Sequence, residues 1–295
     1  MWANVTYTNP CPVCQKNNWC SISDDNNTVI CRRVPSEKQK LDKNGSTYYI
    51  HHIGNKKSDK IPIMYQRNKA VNHDTNKIQK VYGEMIELLS LSNEHREYLQ
   101  NKRKLKDYDI ELQQYRTIDV YSKKYFYSLI DLYREDILSV PGFYFDKENS
   151  KIRFSHIRGI AIPIRNFSGN INALLIKPDN EKLPKYLYIS SAKHGGLPPL
   201  IHCHIPRGYE NTKKAHIVEG VLKANIVASI VSDIVIGIPG VSAIEQAIEC
   251  LDEINPNHVT LALDSDWTSN MQVNLHYLKA LDRVGQWVNE KNKNA

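Results

Sequence analysis

Residues 215–266 read AHIVEGVLKANIVASIVSDIVIGIPGVSAIEQAIECLDEINPNHVTLALDSD, and this stretch decides the fold of the chain. Short apolar segments alternate here with longer amphipathic ones, a pattern typical of a parallel sheet covered by helices on both faces. The predicted strands are Ala215–Glu219, Ile234–Ile238 and Val259–Asp264, and the predicted helices are Leu222–Ser232, Val241–Ile254 and Met271–Glu290. The sequence therefore predicts the α/β fold class.

Acidic residues end two of these predicted strands. Glu219 ends the first and precedes Gly220, which permits a tight turn, and Asp264 and Asp266 end the third. Functional groups gather beyond the carboxyl ends of parallel strands, so these three carboxylates are expected to converge, with Asp264 and Asp266 on one side if the strand runs on. Such a cluster selects magnesium or manganese and indicates phosphoryl or nucleotidyl transfer, with Glu219 as a ligand or general base. An alternative stays open, because Asp-Xaa-Asp after a strand also caps helices.

The segment before and within this stretch is basic. Residues 151–223 hold 12 basic and 4 acidic residues, whereas residues 224–295 hold 4 basic and 9 acidic ones. This arrangement suits a track for a polyanion that leads to a carboxylate cluster, although an unevenly charged surface would look the same. Tyrosines among the cations favour single-stranded nucleic acid. The candidate cations are Arg158, Arg165, Lys177, Lys185 and Lys193, with Tyr186 and Tyr188 between them.

Two further strands and a helical segment precede the α/β stretch. Gly159–Arg165 and Ile171–Lys177 read as strands joined by a turn. Residues 75–140 have helical periodicity, with Ser92 as a helix N-cap and a further helix over residues 121–138. The run Lys102-Arg103-Lys104 is interpreted as a solvated helix end. His202 and His204 flank Cys203 and are interpreted as packed strand residues rather than as a second metal site.

Four of the six cysteines lie within the first 31 residues, which indicates a metal site in a reducing compartment rather than a disulfide framework. Cys11 and Cys14 have the two-residue gap of a zinc knuckle, and Cys31 follows on a predicted hairpin. The fourth ligand is Cys20 or one of the histidines His51 and His52. Cys20 is favoured over His51 because four cysteines then close the site locally. Unliganded buried cysteines remain the alternative.

Composition excludes two classes of protein. With 295 residues, of which 41% are hydrophobic and 24% charged, the chain has the balance of a globular protein and not of a disordered one. No apolar stretch approaches the roughly 20 residues that span a bilayer, so no membrane partner is expected. The first residues lack a basic segment followed by an apolar one, so no secretory signal is predicted and the cytoplasm is the expected location.

The motifs together resemble the TOPRIM domain of DnaG-type bacterial primases, and most closely a group of TOPRIM replication proteins of phages, plasmids and other mobile elements. The matching segments are Glu219-Gly220, Asp264-Ser265-Asp266-Trp267, the run Ile162–Ile171, Pro184-Lys185-Tyr186-Leu187, Ile238-Pro239-Gly240 and the cysteine-rich N-terminus. The resemblance implies a zinc ribbon over residues 1–60, a helical linker over 61–145 and a primase-like core over 146–295. The TOPRIM subdomain would begin near residue 213.

The resemblance implies a DNA primase that makes short RNA primers on single-stranded DNA from ribonucleoside triphosphates. Glu219, Asp264 and Asp266 would hold Mg²⁺ or Mn²⁺, and Arg165 and Lys185 are the favoured contacts to template or incoming nucleotide. Zn²⁺ would be structural, and Arg32, Arg33 and Trp19 would assist template recognition. A TOPRIM nuclease and a non-catalytic single-strand binder or replisome adaptor are the alternative functions.

Two features depart from the family. Many TOPRIM primases carry an acidic residue four positions after the glutamate, where this chain has Lys223. This lysine is expected to grip a phosphate, to mark a different metal arrangement, or simply to lie on the helix surface. Relatives also often continue into a helicase domain, whereas this sequence stops at Ala295. A replicative helicase is therefore expected to act as a separate partner.

Overall fold

The computed structural model describes residues 2–6, 9–42, 46–53, 73–210, 212–264 and 271–293, with residues 271–273, 292 and 293 described by their backbone alone. The chain divides into two compact units, Met1–Val71 and Asn72–Ala295. Of the helices that fall within these described residues, none is long and apolar enough to cross a membrane.

The first unit is a five-stranded antiparallel sheet. Its strands are β1 (Trp2–Asn4), β2 (Ser21–Ser23), β3 (Thr28–Cys31), β4 (Gln39–Leu41) and β5 (Thr47–His52), in the order β1-β2-β3-β5-β4. The predicted hairpin is present as β2 and β3, and a further strand, β5, pairs with β3. Among the described residues of this unit, the buried aliphatic side chains are Val5, Ile22 and Val29, and buried cysteines supply the rest of a small apolar core. Such a core is too small to stabilise the unit by packing alone.

Among its described residues, the second unit combines helices with sheets of four, three and two strands. Its elements are α1 (Thr75–Leu88), α2 (Asn93–Arg103), α3 (Asp107–Leu112), β6 (Arg116–Ile118), α4 (Lys123–Tyr133), β7 (Phe143–Asp146), β8 (Lys151–Phe154), β9 (Gly159–Arg165), β10 (Ile171–Pro178), β11 (Leu187–Tyr188), β12 (Lys214–Glu219), α5 (Val221–Val231), β13 (Ile234–Ile238), α6 (Ile244–Ile254), β14 (His258–Ala262) and α7 (Met271–Lys293). Short 3₁₀ turns cover Val120–Ser122, Arg134–Ser139, Ala192–His194 and Val241–Ala243.

The helical segment agrees with the prediction at the N-cap of α2 and differs from it at α4. The Ser92 side chain accepts a hydrogen bond from the backbone N–H of His95 and so caps α2, as predicted. The single helix predicted over residues 121–138 is wrong, because two 3₁₀ turns flank the shorter α4. Asp119 caps the first turn, and Arg134 ends α4 in a left-handed conformation with φ of 50°.

An antiparallel sheet lies at the centre of the second unit, with strand order β11-β10-β9-β6. On one face it packs against α1, through residues such as Met85 and Leu174, and on the other against α2 and the first turn of α5, through Leu99, Leu175 and Leu222. The apolar core therefore runs across the predicted boundary near residue 145, and the three-domain division stays a prediction.

The parallel sheet has the order β13-β12-β14, with all strands parallel as predicted. Helix α5 covers one face through contacts such as Ala224 with Val235, and α6 and α7 cover the other. Strand β14 ends at Ala262, two residues before the predicted end at Asp264. The strand does not continue through Asp264, so strand alternation does not place Asp264 and Asp266 on one side of the sheet.

Close packing of α5 on β13 depends on Gly237. A Cβ atom at this position would lie 2.7 Å from the Cβ of Ala224 and 3.2 Å from the Gly220 carbonyl oxygen. Gly237 also exchanges backbone hydrogen bonds with His204, which joins the preceding loop to the sheet. The absence of a side chain at Gly237 thus sets how closely the start of α5 approaches the strand ends.

Candidate metal centre and catalytic cleft

The four N-terminal cysteines converge in the first unit. The Sγ atoms of Cys11, Cys14, Cys20 and Cys31 all lie within 4.8 Å of one another. The Cys14–Cys20 and Cys20–Cys31 sulfur distances are 3.7 and 3.9 Å. Four sulfurs around zinc with Zn–S bonds of about 2.3 Å lie roughly 3.8 Å apart, so this donor set fits a tetrahedral Zn²⁺.

Cys20, and not His51, lies among the other cysteines. The Nε2 atom of His51 instead contacts the carbonyl oxygen of Val34 at 3.0 Å. In the part of the chain that the structure describes, these four cysteines form the one group of three or more potential metal ligands.

Hydrogen-bond donors surround the sulfurs. The backbone N–H groups of Arg33 and Val34 both donate to Cys31 Sγ at 3.4 Å. The Arg33 guanidinium reaches Cys14 and Cys20 at 3.8 and 3.7 Å and lies 5.0 Å from the ring centroid of Trp19. Such donors stabilise metal-bound thiolates.

The thiols of the cluster respond to this setting differently. Burial raises the pKa of the Cys11 and Cys20 thiols. Burial also acts to raise the pKa of Cys14, but hydrogen bonds from the backbone of Lys16 and from neighbouring side chains outweigh it and lower that pKa to about 7. Of these three thiols, Cys14 is therefore the one most easily deprotonated to the metal-binding thiolate.

The topology of the second unit brings Glu219 and Asp264 to one edge of the parallel sheet. Glu219 is the last residue of the central strand β12, and Asp264 follows the end of the neighbouring strand β14. Gly220, with φ of 95°, turns the chain directly into α5. Asp266 lies outside the described residues, so its position beside them stays a prediction.

A cleft of about 480 Å³ opens at this edge. Its lining combines two carboxylates with three cations and two tyrosines. The lining residues are Arg103, Leu175, Lys185, Tyr186, Tyr188, Glu219, Gly220, Val221, Leu222, Lys223, Ile226, Pro239 and Asp264. Carboxylate oxygens suit Mg²⁺ or Mn²⁺, and the cations suit phosphate, so this cleft could accommodate a nucleotide with its metal.

The position of Lys223 is the main local difference from the expected carboxylate cluster. Its ammonium group forms an ion pair with Asp264 Oδ1. The two side chains are 43% and 46% exposed, so the pair is open to solvent and to ligands. One of the two described carboxylates of the cleft therefore already has a cation beside it.

Cations and tyrosines line one side of the cleft. The Lys185 ammonium lies 5.6 Å from the Tyr186 ring centroid. Arg103 Nε donates to the Tyr98 hydroxyl at 3.0 Å, and Lys177 Nζ lies 4.6 Å from the same ring. Burial raises the pKa of Tyr186 and raises that of Tyr188 to about 12, so both rings stay neutral and offer π faces for stacking.

Arg103 lines the cleft although its sequence context does not indicate a functional residue. It ends α2, far along the chain from the carboxylates, and its neighbours read as a solvated helix end. Only the packing of α2 against the antiparallel sheet carries this side chain to the cleft.

Four predicted cations, Arg158, Arg165, Lys177 and Lys193, do not line the cleft. Arg158 pairs with Asp179 at 2.8 Å, and Lys193 lies exposed on a 3₁₀ turn. Arg165 is only 3% exposed and bonds to the Gly169 carbonyl oxygen at 3.0 Å and to the Gln114 side chain. Burial and the charge of Arg207 lower the Arg165 pKa to about 10. Direct contact of Arg165 with DNA stays a prediction, which requires this side chain to become accessible.

His204 is packed as predicted, buried in a chain of polar contacts, but it lies in a loop with an isolated β-bridge to Gly237 and not in a strand, and His202 is only half-buried. The Nδ1 atom of His204 accepts a hydrogen bond from the Arg165 backbone N–H at 3.1 Å, so its proton resides on Nε2 and is donated to Asn225 Oδ1 at 2.8 Å. Asn225 in turn donates to the Tyr115 hydroxyl at 2.6 Å. Burial lowers the His204 pKa to about 4, so the ring is neutral at pH 7.

No model of a protein family matches the chain, and no curated protein matches it either. Solved structures do. The Aquifex aeolicus primase, with its zinc-binding and RNA polymerase domains, aligns with 64% of this chain over 48% of its own, at 16% identity and a TM-score of 0.50. A DnaG primase catalytic domain bound to ssDNA aligns with 65% of this chain over 62% of its own, at 15% identity and a TM-score of 0.48. The RNA polymerase domain of Mycobacterium tuberculosis primase DnaG aligns with 70% of this chain over 71% of its own, at 12% identity and a TM-score of 0.48.

This chain thus spans about half the length of the Aquifex aeolicus primase chain. At 16% identity, the likeness to the Aquifex aeolicus structure establishes the fold alone, which is of the DnaG primase type. The predicted fold class, an α/β protein with a parallel sheet flanked by helices, a helical middle segment and an N-terminal four-cysteine cluster, is confirmed.

Proposed function

We propose that this protein is a DNA primase that synthesises short RNA primers on a single-stranded DNA template during replication of a phage, plasmid or other mobile element. One observation carries the proposal. Glu219 ends one parallel strand, Asp264 follows the neighbouring one, and both line one cleft together with the cations Arg103, Lys185 and Lys223. Metal-binding carboxylates beside phosphate-binding cations are what nucleotidyl transfer requires.

The carboxylates would hold the catalytic metal. Glu219, Asp264 and Asp266 offer hard oxygen donors, which suit Mg²⁺ or Mn²⁺. When bound, the metal would neutralise charge on the α-phosphate and on the departing pyrophosphate as the primer 3′-hydroxyl attacks. The residues of the chain would orient the triphosphate, with Lys185 and Arg103, which also line the cleft, as its phosphate contacts.

The template would follow the tyrosine-bearing side of the cleft. Neutral Tyr186 and Tyr188 offer faces for stacking of bases, and Lys177 and Lys185 offer charge for the backbone phosphates. Arg158 and Lys193, both exposed, would extend this track beyond the cleft, and Lys223 would meet phosphate at its floor. A separate replicative helicase would supply the unwound strand.

The first unit would contribute a structural zinc and a template contact. The four thiols provide the donor set for Zn²⁺, which would supply folding energy that the small apolar core lacks. Trp19 is 49% exposed and stacks with Arg33, which places an aromatic face and a cation together on the surface. Base stacking and phosphate contact are the interactions such a pair offers.

Primer synthesis is the direct test. The intact chain would be incubated with single-stranded DNA, labelled ribonucleotides and Mn²⁺, alone and with the helicase of its element. We expect short RNA products from the wild type, and at least about 100-fold fewer from Asp264→Asn and Glu219→Gln, because each loses a ligand charge of the metal. The control Glu253→Gln changes an exposed carboxylate on α6 that does not line the cleft and should leave synthesis unchanged.

The alternatives predict different results in the same assay. Cleavage of DNA without added triphosphates, lost in Asp264→Asn, would identify a nuclease. Unaltered DNA binding and element replication in Asp264→Asn, with no RNA from the wild type, would identify a non-catalytic adaptor. Either result would overturn the primase proposal.

A further inference from the structure

Asp264 meets a cation of its own chain before any metal arrives. The Lys223 ammonium pairs with Asp264 Oδ1, and both residues line the same cleft as Glu219. Both side chains remain nearly half exposed, so neither is sealed away from a ligand that enters the cleft. The pair is therefore built from one presumed metal ligand and one charge that opposes metal binding.

The backbone places the Lys223 charge where it needs a partner. Lys223 is the third residue of α5, whose first turn holds no acidic residue and whose N-cap, Gly220, has no side chain to cap it. The amino end of a helix carries partial positive charge, so a lysine there is disfavoured unless an anion lies nearby. Asp264 is that anion, which indicates that the ion pair is a stable feature of the resting cleft.

We propose that Lys223 acts as an internal counterion that competes with the divalent metal for Asp264 and thereby weakens metal binding in the absence of nucleotide. This inference rests on the proposed function, because that function makes Asp264 a metal ligand. The metal displaces the lysine from the carboxylate, and the freed ammonium group then faces the cleft. There it meets the phosphates of an incoming nucleotide, so metal and triphosphate bind cooperatively.

The cooperativity follows from charge balance. A metal alone must break the Lys223–Asp264 pair and leave two positive charges close together. A metal that arrives with a triphosphate brings the anion that the displaced ammonium needs. Lys223 is thus a positioning residue, which acts on the metal through Asp264 and selects for the loaded nucleotide over the free ion.

The test measures metal affinity without turnover. Free Mn²⁺ would be titrated by electron paramagnetic resonance into the intact, zinc-loaded chain, first alone and then with a non-hydrolysable nucleoside triphosphate analogue. The variants are Lys223→Met, which keeps the apolar stem, Lys223→Arg, which keeps the charge, and Lys223→Met in an Asp264→Asn background. Lys185→Ala is the matched control, since it removes a cation of the same cleft that does not pair with Asp264.

We expect Lys223→Met to tighten Mn²⁺ binding about tenfold, Lys223→Arg to stay within about twofold of wild type, and Lys185→Ala to tighten it no more than about twofold. The increase in Mn²⁺ affinity caused by Lys223→Met should vanish in the Asp264→Asn background. The analogue should tighten Mn²⁺ binding in the wild type more than in Lys223→Met.

Equal effects of Lys223→Met and Lys185→Ala, or weaker metal binding in Lys223→Met, would overturn the inference. The two proposals fail separately. If the wild type makes no RNA but the Mn²⁺ affinities change as expected, the primase proposal fails and the counterion stands. If RNA is made and the affinities do not respond to Lys223→Met, the reverse holds.

Discussion

The two units of this protein build their sites in opposite ways. In the first, four cysteines between positions 11 and 31 form a candidate zinc site from neighbouring turns and strands. In the second, the cleft takes Arg103 from a helix, Lys185 from a loop and its carboxylates from two separate strands. A local site needs a metal to supply stability that packing lacks, whereas a site of distant residues depends on a large core to hold it.

Metal removal should have the largest effect, and only on the first unit. Structural zinc contributes about 10–16 kcal/mol of apparent binding free energy, so stripping it, or replacing Cys31 by Ser, should unfold the five-stranded sheet. Zinc content and the dispersion of backbone amide signals in the intact chain would report this.

Helical circular dichroism gives the matched control for zinc removal, because every described helix belongs to the second unit. The signal should persist after chelation. Loss of helix together with zinc would contradict the contrast, since it would make the packing of the second unit depend on the metal of the first.

The buried His204 should give the next largest effect. His204→Leu leaves the Arg165 N–H and Asn225 Oδ1 buried without partners, and should destabilise the second unit by about 3 kcal/mol. Urea unfolding followed by helical circular dichroism measures this. His202→Leu, which changes a half-buried neighbour, is the control and should cost less.

The pH dependence of stability has a defined sign. Burial depresses the His204 pKa from about 6.5 to about 4, so the unfolded chain binds the proton more tightly than the folded one. The contribution of the neutral His204 ring to the free energy of unfolding is complete above pH 6.5. It is lost as pH falls from 6.5 through 4, by roughly 3 kcal/mol in total. Wild type should lose more stability over this window than His204→Leu. Equal slopes for the two proteins would refute the assignment.

Gly237 tests whether close packing sets the cleft. Gly237→Ala places a Cβ 2.7 Å from that of Ala224, and should cost about 1–3 kcal/mol by pushing α5 from the sheet. Gly285→Ala, on α7 with no atom near the added Cβ, should instead stabilise by about 0.5–1 kcal/mol. Thermal unfolding of both variants compares the signs, and two equal losses would show that packing at Gly237 is not special.

Arg103 should give the smallest effect, seen in binding and not in stability. Arg103→Ala should weaken single-stranded DNA binding about three- to tenfold, uniformly across sequences, and lower the salt dependence by about one phosphate contact. Fluorescence anisotropy at several salt concentrations measures both. Lys279→Ala removes an exposed cation on α7 and should change neither quantity. An equal loss of DNA affinity in this variant would mean that only the net charge of the protein determines binding.

Much of the secondary structure can be predicted from the sequence because it depends on neighbouring residues. Strand Ile234–Ile238 agrees with its prediction residue by residue, since five consecutive apolar residues between turns have few alternatives. Errors fall where local signals compete. The predicted helix over 121–138 contains no proline or glycine, yet the left-handed Arg134 ends α4. Strand β14 ends at Ala262 because its pairing with β12 ends at Val218.

The sequence by itself determined the zinc-type cysteine spacing and the alternation of strand and helix that places Glu219 and Asp264 at strand ends. Spacing and periodicity are properties of neighbouring residues, so one chain suffices to read them. Only the tertiary structure decided that Arg103 lines the cleft, that Arg165 is buried and that Lys223 pairs with Asp264. These depend on how distant elements pack, and charges far apart in sequence carry no sign of which partner packing will bring.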